Sequence, residues 1–504
     1  MPYPRVFLLG ASALALVSPA SAVKPTAGSL YLRTRAAEAL GDVHGASAGF
    51  AALIAQEPGN VVLAEHAYRQ AVENGDMALA IHAAHLLDAQ KALPSDAKVL
   101  LALEQVKARD WVKARPLTER LAQDGAFGFL APFFRAWIAL GSVEGDPVAL
   151  AEGGRSLPFA STYYPEQRAL LLIALGRTQE AANALGPQAA AQLPARVKGP
   201  AEGLSPLLVH LATDLARQQY APVGKIMARM ATYAAPDNDE SWLVLAELLQ
   251  RTQRGDLALV ALAHVSPANP VADDARALRI ALLNDAGKHQ EALDEALAAA
   301  RKTGAGIDDW GRVGDLYLTL SKPVEAAQAY GRALAIAEAK QAPPDLLWPI
   351  LLQRGGALDL AGDWPAAKAA YERAYTIAPE QPTVLNQVGY SEIEHRENVA
   401  RASAMIAKAS SLRPDDPAIT DSLGWVLYLQ GKASEAVPLL EKAAAGDPGE
   451  AAINEHLGDA YWSIGREYEA RFAWRAALLT SDEKDKARLT AKIDTGLDKA
   501  TAAP

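Results

Sequence analysis

Residues 416–448 read DPAITDSLGWVLYLQGKASEAVPLLEKAAAGDP, and this stretch decides the fold. Thr420, Leu423, Gly424 and Leu427 recur at the spacing of one face of a helix. Gly431-Lys432 interrupts that run. Ala436, Leu440 and Ala443 then share one face of a second helix, and Pro448 ends the unit because proline cannot continue a helix. Gly424 and Ala436 are small where the two helices would cross closely, and a large side chain there would push them apart. The pattern predicts a helical hairpin.

The hairpin repeats. Ala402, Ala436 and Ala470 stand 34 residues apart, and Leu423, Gly424, Gly431 and Pro414 recur as Leu457, Gly458, Gly465 and Pro448. A fixed period of this length is the signature of stacked helical hairpins. From Ala367 to Ala402 the spacing is 35, which puts one extra residue near the His395–Asn398 turn.

This pattern resembles the tetratricopeptide repeat family. The resemblance rests on Leu423, Gly424, Gly431, Ala436, Leu440, Ala443 and Pro448, then on Leu457, Gly458, Tyr461, Gly465, Ala470, Trp474 and Ala477. Earlier units match at Gly355, Gly362, Ala367, Tyr371 and Ala374, and at Trp310, Gly314, Tyr317, Ala326, Tyr330 and Ala333. Looser marks continue upstream to Gly41, Ala46, Phe50 and Pro58, giving about 11 to 13 units. The resemblance implies an all-α protein, a right-handed α-solenoid of stacked helix–turn–helix repeats of about 34 residues. A solenoid also accommodates 504 residues without one oversized core, since each repeat packs only on its neighbours.

The expected organisation has six parts. Residues 1–22 form a leader, 23–186 degenerate N-terminal repeats, and 187–203 an irregular linker rich in Ala, Pro and Gln. Looser repeats fill 204–304 and well-kept repeats 305–480. Residues 481–504 form a polar capping helix and tail, with Leu489, Ile493 and Leu497 spaced along it. The leader reading rests on Arg5, the apolar run Val6–Val17 and the small-x-small ending Ala20-Ser21-Ala22. That run is too short to span a bilayer, so cleavage after Ala22 and export to the periplasm or exterior are expected.

Composition narrows the function. The chain has no cysteine, which excludes disulfides, thiolate metal sites and a lipid-anchored product. Its net charge of −10 argues against nucleic acid or an anionic membrane as a general partner.

Motifs with catalytic associations lack the context that chemistry requires. Gly45-Ala46-Ser47-Ala48-Gly49 matches a nucleophile elbow, but it falls in a helical hairpin rather than between strand and helix. His82 and His85 share a helix face, with His66 upstream, but no third ligand stands at a metal spacing. Glu392 and His395 form a single E-x-x-H where a di-iron site needs two and further glutamates. Gly287-Lys288 lacks the rest of a phosphate loop. No enzyme activity, cofactor or metal is expected.

One stripe beside the packing face is aromatic and acidic. It carries Asp421, Trp425 and Tyr428, then Glu455, Asp459 and Trp462 one period later, with Asn386 and Tyr390 before them. The family resemblance implies that this face lines a concave groove, so these eight residues are the candidate partner site. Two readings stand side by side for Trp425 and Trp462: they cover neighbouring helices, or they are aromatic anchors flanked by charge, as in a hot spot, where the acids favour a cationic or neutral segment. The repeated Lys and Asn of carboxylate-clamping relatives are not present. The expected function is a non-catalytic protein–protein interaction scaffold or adaptor of the bacterial cell envelope. The alternative is an accessory subunit of a cell-surface polysaccharide synthesis or export machine, by analogy at the level of fold.

Overall fold

A computed structural model of the chain describes residues 26–190, 193 and 197–498. The expected leader, residues 1–22, lies outside the described residues. Every regular element among them is helical, and consecutive helices pack in pairs. The molecule is an α-solenoid. It comprises two compact units, one ending at Leu282 and the other beginning at Leu283.

The C-terminal unit carries the regular repeats. Its pairs are Ile307–Thr319 with Pro323–Ala339, Pro344–Leu360 with Trp364–Ile377, Pro382–Glu394 with Val399–Leu412, Pro417–Leu429 with Ala433–Gly446, and Ala451–Ser463 with Glu467–Thr480. A last helix, Glu483–Thr495, packs on Glu467–Thr480.

Local sequence explains the boundaries. Asp363 caps the helix beginning at Trp364, its carboxylate accepting the Ala366 N–H at 3.2 Å, and a proline follows in the first turn. Asp416 does the same for Ala418 and Ile419. Gly362, Gly431 and Gly465 turn the chain between paired helices in the left-handed region. The turn with the extra residue instead places Arg396 and Asn398 there. The marker alanines Ala326, Ala367, Ala402, Ala436 and Ala470 are fully buried in the second helices.

The N-terminal unit is built of pairs such as Val61–Asn74 with Met77–Ala89 and Pro200–Arg217 with Ala221–Ala234 around one continuous apolar core. The second helix of a pair shrinks in places, to Pro147–Ala151 and Thr178–Leu185, which is why the period is hard to follow there. The expected linker 187–203 lies partly outside the described residues, and its last four residues belong to the helix Pro200–Arg217.

The motifs set aside above have structural roles. Ser47 is buried within the helix Val43–Gln56. His66 stacks on Phe50 and bonds Glu38, and His85 bonds Glu104. Glu392 accepts from Asn398 and Arg401, while His395 stacks on Trp364 and bonds Asp359. Among the described residues no group of three or more His, Asp or Glu is arranged to hold a metal, and no helix is long and apolar enough to cross a membrane.

Trp474 fills the crossing of the last pair and is fully buried. Trp474→Ala is expected to cost about 3–5 kcal/mol, as a large core truncation. Hydrogen-exchange protection will fall across residues 451–498 and remain unchanged in the N-terminal unit, because repeats couple to their neighbours. Uniform loss along the chain would contradict this.

Candidate functional site

Aligning the first helices on Gly389, Gly424 and Gly458 stacks the eight candidate residues in rows. Asn386, Asp421 and Glu455 form one row, and Tyr390, Trp425 and Asp459 the next. Tyr428 and Trp462 follow one turn later, where the preceding helix has Ile393. The register expected from sequence therefore brings them onto one face.

That face is more closed than its sequence suggests. Trp425 is only 1 % exposed, sandwiched between Tyr428 at 4.8 Å and His456 at 4.0 Å, both nearly parallel to it. Its indole N–H is buried without a hydrogen-bond partner, as is the Asn386 amide oxygen. The His456 ring N–H donates to Asp421, with Nδ1 lying 3.1 and 3.0 Å from the two carboxylate oxygens. Burial alone would push the His456 imidazole down, but Asp421, with Asp459 and Glu455 behind it, raises it above its ordinary value. The ring therefore favours the charged form and pairs with Asp421.

The remaining acids are engaged by the chain's own last helix. Glu455 accepts from Arg488 and, at 2.6 Å, from Lys492. Lys492 also donates to both oxygens of Asp459 at 2.7 and 2.8 Å, and Trp474 Nε1 completes that carboxylate at 2.9 Å. Trp462 lies 5.5 Å from Trp474 and under the Arg471 guanidinium. Gly496 turns against the Trp462 ring in the left-handed region, and a Cβ there would meet the indole closer than 3.0 Å. Asp421, Glu455 and Asp459 thus do not flank an open groove. They are buried, and each is neutralised within the chain because an unpaired carboxylate there would be costly.

No family model matches the chain. The TPR repeat-containing protein PA4667 of Pseudomonas aeruginosa is 34 % identical over 122 residues, covering 24 % of this chain and 20 % of that protein. With a 34-residue period and paired helices already in place, this match adds to the likeness. The chain is similar to tetratricopeptide-repeat proteins. The cytochrome c-type biogenesis protein CycH of Rhizobium meliloti is 31 % identical over 170 residues, 29 % of this chain and 42 % of that one. The chain thus spans from a fifth to about two fifths of the length of the curated relatives it matches. Among solved structures, the APC/C hetero-tetramer Cut9–Hcn1 covers 93 % of this chain and 89 % of its own at 17 % identity, with a TM-score of 0.37.

What stays accessible in the helical array lies beside the buried network. Asn386, Tyr390, Tyr428 and Trp462 are half-buried. Tyr390 and Glu394 wall a cavity of about 310 Å³, closed by Glu450, Glu455 and His456 on one helix and by the start of the last helix on the other side. Burial, with Glu394 next to it, holds the Tyr390 phenol far above its ordinary value, so it remains a neutral donor.

Sequence reasoning missed His456, Arg488 and Lys492. For Lys492 a signal existed: Leu489, Lys492 and Gly496 share the stripe by which the last helix packs, so a lysine occupied an apolar face. Lys492→Met leaves Glu455 and Asp459 without their shared ammonium. It should destabilise the C-terminal unit by about 3–5 kcal/mol, read by urea denaturation; an unchanged midpoint would contradict the pairing. A second expectation concerns pH. Because the His456 value is raised on folding, its contribution is complete below the ordinary 6.5 and is lost as pH climbs through the raised value. Stability measured from pH 6 upward should therefore fall more steeply in the native chain than in His456→Gln.

Proposed function

We propose that this chain is a non-catalytic protein–protein interaction scaffold of the bacterial cell envelope. In this reading it holds a peptide or protein segment against the first-helix face of its C-terminal repeats. The observation that carries the reading is the cavity of about 310 Å³ beside Tyr390, where accessible acids gather while the inner acids are consumed by internal pairs. Glu394 and Asp482 are exposed at its rim, and Glu450 and Asp485 stand next to them. Two bases line it too: Arg488 is tied to Glu455 and Asp485, and Lys484 is exposed at the start of the helix Glu483–Thr495.

This arrangement suits a segment that presents a lysine or arginine beside an apolar or aromatic residue. The base enters the acidic rim and the apolar group lies on Tyr390 and Tyr428. The tetratricopeptide family supports the scaffold reading, and the buried aromatic stack supplies a rigid floor. Envelope placement rests on the leader-like residues 1–22.

Two measurements check these statements. Glu394→Lys with Asp482→Lys reverses the rim charge at exposed positions, so partner capture from envelope extract should be lost while the melting temperature stays the same. Capture at the native level would remove the basis for this site. N-terminal sequencing of the protein recovered from its host should begin at Val23; a product still carrying residues 1–22 would overturn export by cleavage.

A further inference from the structure

A second cleft lies within the C-terminal unit, between the helix Pro323–Ala339 and the helix Pro344–Leu360. Its volume is about 650 Å³, and Val324, Ala327, Gln328, Arg332, Arg354 and Leu358 line it. We propose that it binds a peptide segment carrying a carboxylate next to an aliphatic residue. The proposal is independent of the acidic site above, whose chemistry is the opposite.

Two guanidinium groups carry the inference. Arg332 is exposed, and its guanidinium lies 4.3 Å from the centroid of Trp310. Stacking holds the planar fork in place and leaves its N–H groups at the edge available. Arg354 reaches the same cleft with a buried Nε that has no hydrogen-bond partner. Among the described residues neither arginine has a carboxylate within 4.0 Å. Their neighbours Arg373 and Arg401 behave otherwise, closing ion pairs with Glu338 and Glu372. Asp363 stands at the rim, but its carboxylate caps the Ala366 N–H.

The bare backbone at one position of the cleft makes room for the Arg354 side chain. Gly331 sits in the interior of the helix Pro323–Ala339, where glycine costs roughly 1 kcal/mol relative to alanine. A Cβ on it would stand 3.6 Å from Arg354 Nε, so the guanidinium lies directly over the bare backbone. A longer side chain at this position would press on the guanidinium and narrow the cleft.

The occupant follows from the walls. Two planar forks and the Gln328 amide match the two oxygens of a carboxylate. Val324, Ala327 and Leu358 offer aliphatic contact beside them, and Val324 is 52 % exposed. A bare inorganic anion would leave that apolar wall unused. In a chain of net charge −10, this is a local basic spot on an acidic molecule.

The test uses the full chain and a fluorescein-labelled octapeptide of alternating leucine and glutamate, followed by anisotropy at low salt. A leucine–glutamine peptide of the same length is the control. The glutamate peptide should bind about tenfold more tightly than the control or better. Arg332→Gln with Arg354→Gln should abolish that difference. Gly331→Leu keeps both charges and should weaken binding by filling the cleft, whereas Glu394→Lys with Asp482→Lys should leave it unchanged. The proposal is overturned if the two peptides bind alike, if the glutamate peptide fails to bind below about 1 mM, or if the double arginine variant binds as the native chain does. Displacement of the peptide by an equal concentration of inorganic phosphate would also overturn it, in favour of a free-anion site.

Discussion

Each C-terminal repeat depends on one close crossing between its two helices. A glycine on the first helix receives a bulky side chain from the second, sixteen or seventeen residues later. Gly314 takes Tyr330, Gly355 takes Tyr371, Gly389 takes Ile406, Gly424 takes Leu440 and Gly458 takes Trp474. In every case a Cβ on the glycine would lie closer than 3.0 Å to the opposing side chain. The separation lengthens to seventeen only at Gly389, in the repeat with the extra turn residue. This contact sets the rotation of each first helix. It therefore sets which residues turn toward the next repeat and which toward the candidate face.

The consequence is clearest at the end of the array. With Gly458 seated on Trp474, Glu455 and Asp459 point where a further repeat would pack. The helix Glu483–Thr495 packs there, with Arg488 and Lys492 on these acids. Buried ion pairs of this kind contribute little net stability against an apolar substitute, but removing one partner is costly. Their effect here is positional. They hold the last helix in one register and leave the cavity beside Tyr390 at its edge.

Much of the architecture was legible in the sequence because its causes are local. Hairpin spacing, the left-handed glycine turns, the Asp363 cap and the extra residue before Ala402 all act within one repeat. The candidate face was legible to the extent of which residues share it. What lay opposite each of them was not. Trp425 is covered by His456, 31 residues later, and Glu455 meets Lys492, 37 residues later. Helical periodicity reports a direction and carries no information about a partner one repeat away. In the N-terminal unit even the period fades, because its close approaches take other forms: Gly49 receives Thr34 and Gly203 receives Trp137, with the glycine later in sequence than its partner.

Partners are proposed to engage the first-helix face of the C-terminal repeats. The most direct test is site-specific photo-crosslinking in the native host, with a photoreactive residue placed in turn at Tyr390, Tyr428 and Tyr468. Tyr468 is exposed on the second helix of the last repeat and serves as the opposing position. Engagement of that face requires the same partner, identified by mass spectrometry, to be captured from positions 390 and 428 and not from 468. Capture from 468 alone would contradict it.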